Sequence, residues 1–260
     1  MDWSKTKTIF IAVFLVLDIF LAVMFFNKYG ASRFEVIKQT TIEEKLQTDG
    51  VKYEKMPTDS GERSIITAKP KTFDENDLLF LTGQNPKKSG TTIESKLEKP
   101  YQTDGAERSK LNSFVKNNVF KGNEYAYWER HGDEVIYYQK IKGEKLFENS
   151  KGKLILTLDD KENIIEYSQT MLSVFEENQD EEEIFPSLKA LEALYTNGLI
   201  RPDSEIGDVE LGYYTLAQFT DTELQVLSPT WYFQLKIGDK TEDVYVNALN
   251  GTINSTQKES

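Results

Sequence analysis

Histidine, cysteine and paired carboxylates carry much of side-chain chemistry, and this sequence is short of the first two. It holds one histidine (His131) and no cysteine. A multi-His metal site, Cys-ligated zinc, a thiol nucleophile and a disulfide framework are therefore excluded within one chain. His131 could serve as a lone general base, because an unperturbed imidazole titrates near neutrality. It falls in Arg130-His131-Gly132-Asp133, a turn pattern without an obvious nucleophile, and reads as an exposed turn residue. No Gly-rich phosphate loop, G-x-S-x-G elbow or H-E-x-x-H pair occurs. Asp and Glu number 43 against 31 Lys and Arg, so neighbouring carboxylates arise by chance and say little about glycoside hydrolysis. Asp159-Asp160 lies in a hairpin pattern, where Asp serves turn geometry. The run Glu176-Glu177-Asn178-Gln179-Asp180-Glu181-Glu182-Glu183 lacks the glycine turn of a calcium loop and reads as a solvated linker.

The carboxylate in the most unusual setting is Asp18. It interrupts an otherwise apolar run, residues 9–26, from Ile9 to Phe26. A helix of that length spans ~27 Å, close to the hydrocarbon thickness of a bilayer. Trp3 and Tyr29 flank the run as candidate interface anchors, and Lys5, Lys7 and Lys28 are placed to reach headgroups. An aspartate near mid-span costs roughly 2.5–3.5 kcal/mol on insertion, which the surrounding Ile, Leu, Val and Phe can offset. Its functional reading is a contact with a neighbouring transmembrane helix, and its bland reading is a tolerated polar residue. A cleaved signal peptide is the rival for the whole segment. However, Leu21 to Asn27 is bulky, and the only small cluster, Gly30-Ala31-Ser32, comes late. The expectation is an uncleaved anchor with residues 1–8 cytoplasmic. A Cys-free remainder suits the outside of a bacterial cell.

The net charge of −12 argues against a nucleic-acid binder. With 260 residues, 38% apolar and 12% aromatic, the chain can fold two or three packed units. After a stalk over 27–47, residues 48–103 are turn-rich, with short apolar patches that suggest short strands and long loops. Leu111, Phe114, Val115 and Val119 then share a helical face. Strand patterns follow at 124–128, 135–141, 154–158 and 164–171. Beyond the acidic linker, 176–185, the same order returns. Leu188, Leu191, Leu194 and Tyr195 share a helical face that ends at Asn197-Gly198. Strands are expected over 209–219, over 224–237 with a break at Pro229, over 244–248, and over 252–256 after the hairpin signal Asn250-Gly251. The fold class is α+β: an N-terminal transmembrane helix followed by a duplicated αββββ ectodomain, with units at 104–175 and 186–260. Aromatic residues come in adjacent pairs, such as Tyr137-Tyr138, Tyr213-Tyr214 and Trp231-Tyr232. One member of each is expected in the core and the other on a sheet face that could bind protein.

Several segments resemble the YycI family. They are the opening Asp2-Trp3-Ser4-Lys5-Thr6-Lys7-Thr8-Ile9-Phe10-Ile11, the span Phe14-Leu15-Val16-Leu17-Asp18-Ile19-Phe20, and Val119-Phe120-Lys121-Gly122-Asn123-Glu124-Tyr125. Ala190-Leu191-Glu192-Ala193-Leu194-Tyr195, Leu211-Gly212-Tyr213-Tyr214 and Tyr245-Val246-Asn247-Ala248 complete the series in the same order. The likeness is weakest over 48–103. It implies a single-span membrane protein of low-GC Gram-positive bacteria. Together with its relative YycH, such a protein controls the YycG (WalK) sensor kinase of the YycFG (WalKR) cell-wall two-component system. Contact runs through transmembrane helices and extracytoplasmic domains. The resemblance implies no enzymatic activity, no cofactor and no catalytic residues. The second unit also looks distantly like a PepSY module. An extracytoplasmic sensor of a cell-wall ligand and an anchored wall hydrolase are the alternatives from other classes.

Overall fold

The computed structural model describes Trp3, Lys7, Phe14, Leu15, residues 17–22 and residues 41–257, apart from 55, 60, 178–179, 220–222 and 239. Residues 1–48 and 49–260 form separate compact units. In chain order the elements are α1 (Ile42–Thr48), β1 (Lys52–Tyr53), β2 (Gly61–Arg63), β3 (Ile66–Pro70), β4 (Gln84–Ser89), β5 (Thr92–Tyr101) and α2 (Arg108–Asn118). There follow β6 (Tyr125–His131), β7 (Glu134–Ile141), β8 (Glu144–Leu146), β9 (Lys153–Leu158), β10 (Ile164–Thr170), β11 (Leu172–Glu177) and β12 (Glu182–Ile184). The last are α3 (Ser187–Thr196), β13 (Glu205–Phe219), β14 (Leu224–Ile237), β15 (Lys240–Asn247) and β16 (Ile253–Gln257). The fold is mixed α+β and mostly sheet.

In the first unit the described residues between Trp3 and Ala22 are helical, and so is α1. Thr41 caps α1 through its hydroxyl, which accepts the Glu44 N–H at 3.3 Å. Among the described residues no helix is long and apolar enough to cross a membrane. Most of the expected span, 9–26, and the stalk up to residue 40 lie outside the described residues.

In the second unit α2 buries Leu111, Phe114 and Val115, the stripe read from the sequence, against a sheet floor that includes Ile93, Leu156 and Tyr167. Burying each such side chain contributes about 1.5–3 kcal/mol. The helix stops at Val119, whose backbone turns extended, and a 3₁₀ turn at Gly122–Glu124 folds back over its end. Gly122 is required there, because a Cβ would lie 1.7 Å from the Val115 carbonyl oxygen. At the other helix, Gly198 sits at φ +72°, and the Leu199 N–H bonds to the Leu194 carbonyl, closing α3 as Asn197-Gly198 signals.

Each of α2 and α3 precedes antiparallel strands paired in sequence, β6-β7-β9-β10 and β13-β14-β15-β16. The two sets share one 14-stranded sheet. The joint is β8, three residues long, which pairs antiparallel with β7 and parallel with β13.

Three expectations are corrected by this geometry. Residues 84–101, within the stretch expected as short strands and long loops, form one hairpin, β4-β5, with a ten-residue second strand that extends the sheet beside β10. Its inner face carries Ser95, whose hydroxyl donates to Gln84 Oε1 at 2.7 Å, so the apolar alternation that marks a strand is blurred. Pro229 does not break β14. It lies between the segment that pairs with β3 (Gln225 to Leu227) and the segment that pairs with β15 (from Thr230), where no ladder N–H is required. Its carbonyl accepts the Ala248 N–H at 2.9 Å. The acidic segment is strand at both ends: Glu176 and Glu177 pair with Thr67 and Ile66, and Glu182 to Ile184 pair with Arg63 to Gly61.

Candidate interaction surface

The side chains singled out by the sequence do not form one site. Trp3, Lys7 and Asp18 are helical and exposed, while Lys5, Lys28 and Tyr29 lie outside the described residues. Around Asp18, Phe14, Leu15, Leu17, Ile19, Phe20 and Leu21 are all exposed, Phe20 at 58%. At about 100° per residue these side chains encircle the helix, and an apolar girdle of this kind requires a cover other than water. His131 ends β6 rather than sitting in the turn after it. Its Nε2 lies 2.9 Å from Glu129 Oε1 on the same strand. Among the described residues no group of three or more His, Asp or Glu side chains converges as a metal site would require.

The aromatic pairs behave differently from the one-in, one-out expectation. Tyr137 and Tyr138 are both buried, and so are Trp231 and Tyr232. The reason is that both faces of the sheet are covered near β8. On one face Trp231 is enclosed, and its Nε1–H donates to the Phe185 carbonyl at 2.9 Å. On the other, Tyr232 and Tyr245 pack with Phe147, with half-buried Trp128 and Tyr214 against them. Trp128 lies 5.0 Å from the Tyr232 ring, Phe147 lies 5.6 Å from Tyr245, and Tyr214 stacks on Tyr245 at 4.8 Å. Such contacts are worth about 0.5–1.5 kcal/mol each beyond their buried area. Gly212 permits them: a Cβ there would lie 2.5 Å from the Phe147 ring and 2.4 Å from the Lys145 carbonyl oxygen. Burial drives the Tyr232 and Tyr245 phenols well above their ordinary range, so both stay neutral. The Tyr232 hydroxyl donates to buried Asp243 Oδ1 at 2.9 Å. This cluster joins two sets of strands and offers no exposed nucleophile.

The cover ends along the same face. Register places Thr67, Val226 and Ala217 in one row, with Leu224 opposite Phe219 a step further on. Phe219 is 53% exposed. Two bulges add apolar groups. Leu216 is the extra residue between Thr215 and Ala217, and Phe175 the extra residue between Val174 and Glu176. Both are exposed, and Lys69 Nζ stands 5.2 Å from the Phe175 ring centre. Among the described residues β11 is the edge of the sheet path and pairs only with β3. An apolar strip at an open edge, running into acidic residues, has the composition of a protein-docking surface. No sequence rule located it, because bulges shift the period of two and so hide which face a side chain takes.

Among the described residues these features define a sheet-built body with an exposed apolar edge and no assembled catalytic centre. Residues 31–249 match the family described as YycI protein, and the chain belongs to the YycI family. The family is regulatory and is tied to the YycFG two-component system. No curated protein matches the sequence. Among solved structures, an uncharacterized protein from Eubacterium rectale ATCC 33656 is similar at 10% identity and a TM-score of 0.49, over 80% of this chain and 92% of that one. The Bacillus megaterium YpeB C-terminal domain is similar at 12% identity and a TM-score of 0.42, over 72% of this chain and 100% of that one.

Proposed function

We propose that this chain is a non-enzymatic regulator of the YycG (WalK) sensor kinase. A single helix over residues 9–26 anchors it in the cell membrane, with residues 1–8 in the cytoplasm and the sheet body outside. It works with YycH, whose outer domain covers the apolar strip around Phe175, Leu216 and Phe219. The two helix-plus-four-strand runs are repeats of one distantly PepSY-like unit. The observation that carries this reading is the family match over residues 31–249. The exposed apolar girdle around Asp18 and, among the described residues, the edge at β11 support it.

The mechanism follows from linkage. Kinase output depends on which packing its transmembrane helices adopt, and a neighbouring helix that fits one packing better shifts the balance by the difference in contact energy. A difference of about 1.4 kcal/mol is already tenfold. Asp18, hydrogen-bonded to a partner helix, supplies part of it. The test replaces residues 9–26 with an unrelated Leu/Ala helix of equal length and measures kinase output in cells. Output must change; unchanged output rejects the helix-packing mechanism.

A further inference from the structure

One cleft plays no part in this reading. It lies between α2 and β6 and has a volume of about 330 Å³. Arg108, Asn112 and Lys116 line its helix side at i, i+4 and i+8, a single face of α2. Tyr127, Asn123 and Lys145 line the opposite side.

Cations converge in this cleft without matching acids. Nearby cations are paired, with Lys110 3.4 Å from Asp104, Lys121 3.3 Å from Glu124 and Arg130 3.0 Å from Glu162. Among the described residues neither Arg108 nor Lys116 has a carboxylate within ion-pair distance. The Arg108 guanidinium carbon instead lies over the Tyr127 ring, 4.3 Å from its centre, a cation–π contact that uses none of its N–H donors. The Asn112 Oδ1 accepts the Tyr137 hydroxyl at 2.9 Å, and that bond orients the amide. Its NH2 has no acceptor among the described residues. Lys145 contributes a third cation, an ammonium held by Glu210 at 2.6 Å. Three cations and one carboxylate leave this cleft positive on a chain of net charge −12.

We infer that this cleft binds an oxyanion, a phosphate or carboxylate carried on a small polar body of about sugar size. Arg108, held over the Tyr127 ring, takes the anion through two parallel N–H bonds, Asn112 donates a third, and Lys116 closes the site as a point charge. Tyr137, neutral because burial raises its phenol, keeps Asn112 turned outward without adding charge. The site draws on α2, β6, β7 and β8 and is independent of the kinase reading.

The experiment is a thermal-shift titration of the full-length chain at low salt with glucose 6-phosphate, glucuronate and neutral glucose. With a dissociation constant near 1 mM, roughly 10 mM of an anionic sugar raises Tm by about 3 °C. Glucose leaves Tm unchanged. Response to both anions identifies a general oxyanion site, and response to one identifies phosphate or carboxylate as its source. R108Q and K116Q each weaken binding about tenfold. K110Q removes an equal charge from the same helix and leaves binding intact. The inference is overturned if no anion shifts Tm, if glucose shifts it equally, or if K110Q weakens binding as much as R108Q.

Discussion

Replacing Gly212 with alanine strikes the joint on which the second unit is built. The new methyl would lie 2.5 Å from the Phe147 ring and 2.4 Å from the Lys145 carbonyl oxygen. The ring can swing, at the expense of its contacts with Trp128, Tyr232 and Tyr245, at 5.9, 5.5 and 5.6 Å. The carbonyl has no such freedom. Gly212 and Lys145 are direct partners across β13 and β8, and the Phe147 N–H is bonded to the Tyr213 carbonyl at 2.8 Å. Overpacking a well-filled core typically costs 1–3 kcal/mol, and a clash with fixed backbone belongs at the upper end, about 3 kcal/mol. For a unit of this size that lowers Tm by roughly 6–12 °C. Thermal unfolding followed by circular dichroism, with tryptophan emission reporting the cluster around Trp128, measures it. Adding F147L removes the ring clash but not the carbonyl clash, so it restores only part of the loss, about 1 kcal/mol of coupling. A Gly212→Ala variant that melts within about 1 °C of the parent would refute the argument that β8 is pinned between β7 and β13.

Other consequences can be read directly. Tyr125, Tyr167, Tyr232 and Tyr245 have phenols raised by burial above the ordinary value of 10.0. The unfolded chain then loses these protons first, so stability holds below pH 10 and falls as pH rises beyond it. The slope is about 1.4 kcal/mol per pH unit for each phenol. The last part of the tyrosinate absorbance, that of these buried phenols, must therefore rise together with alkaline unfolding; complete tyrosinate absorbance of all 13 tyrosines from the folded chain would contradict the burial. F175S with F219S, both at exposed positions, should change stability by no more than about 0.5 kcal/mol each while abolishing capture of YycH. Retained capture removes the strip from the proposal. S95A leaves Gln84 Oε1 without its buried donor and should cost about 1–3 kcal/mol in urea unfolding; a neutral result would mean that water reaches this pair. D18L should alter kinase output without reducing membrane retention; loss of retention instead would make Asp18 a structural residue.

Long periodic segments were legible in the sequence. The apolar stripe of α2, the glycine ending α3 and the alternation of β9 each rest on a repeat that only one local structure satisfies. What escaped was short or polar on the inside. β8 has three residues and one fully buried side chain, too little for a period to show. β5 hides Ser95 where an apolar residue would advertise a strand. Pro229 signalled a break because its own sequence neighbours cannot reveal that its partner strands change beside it. The apolar strip follows from two bulges, which depend on pairings between distant segments. The α2–β6 cleft was equally invisible, since Arg108 and Tyr127 meet only through the fold. Gly122 and Gly212, both inside segments that resemble the YycI family, prove to be positions where backbone or ring leaves no room for a side chain.

The most direct test of the regulatory account is crosslinking in intact cells. A photoreactive residue is placed along 9–26, and whatever is joined to it is identified. The account predicts adducts with the YycG kinase and with YycH. Recovery of the chain as a freely dissolved product trimmed of that segment, or adducts that exclude both proteins, would contradict it.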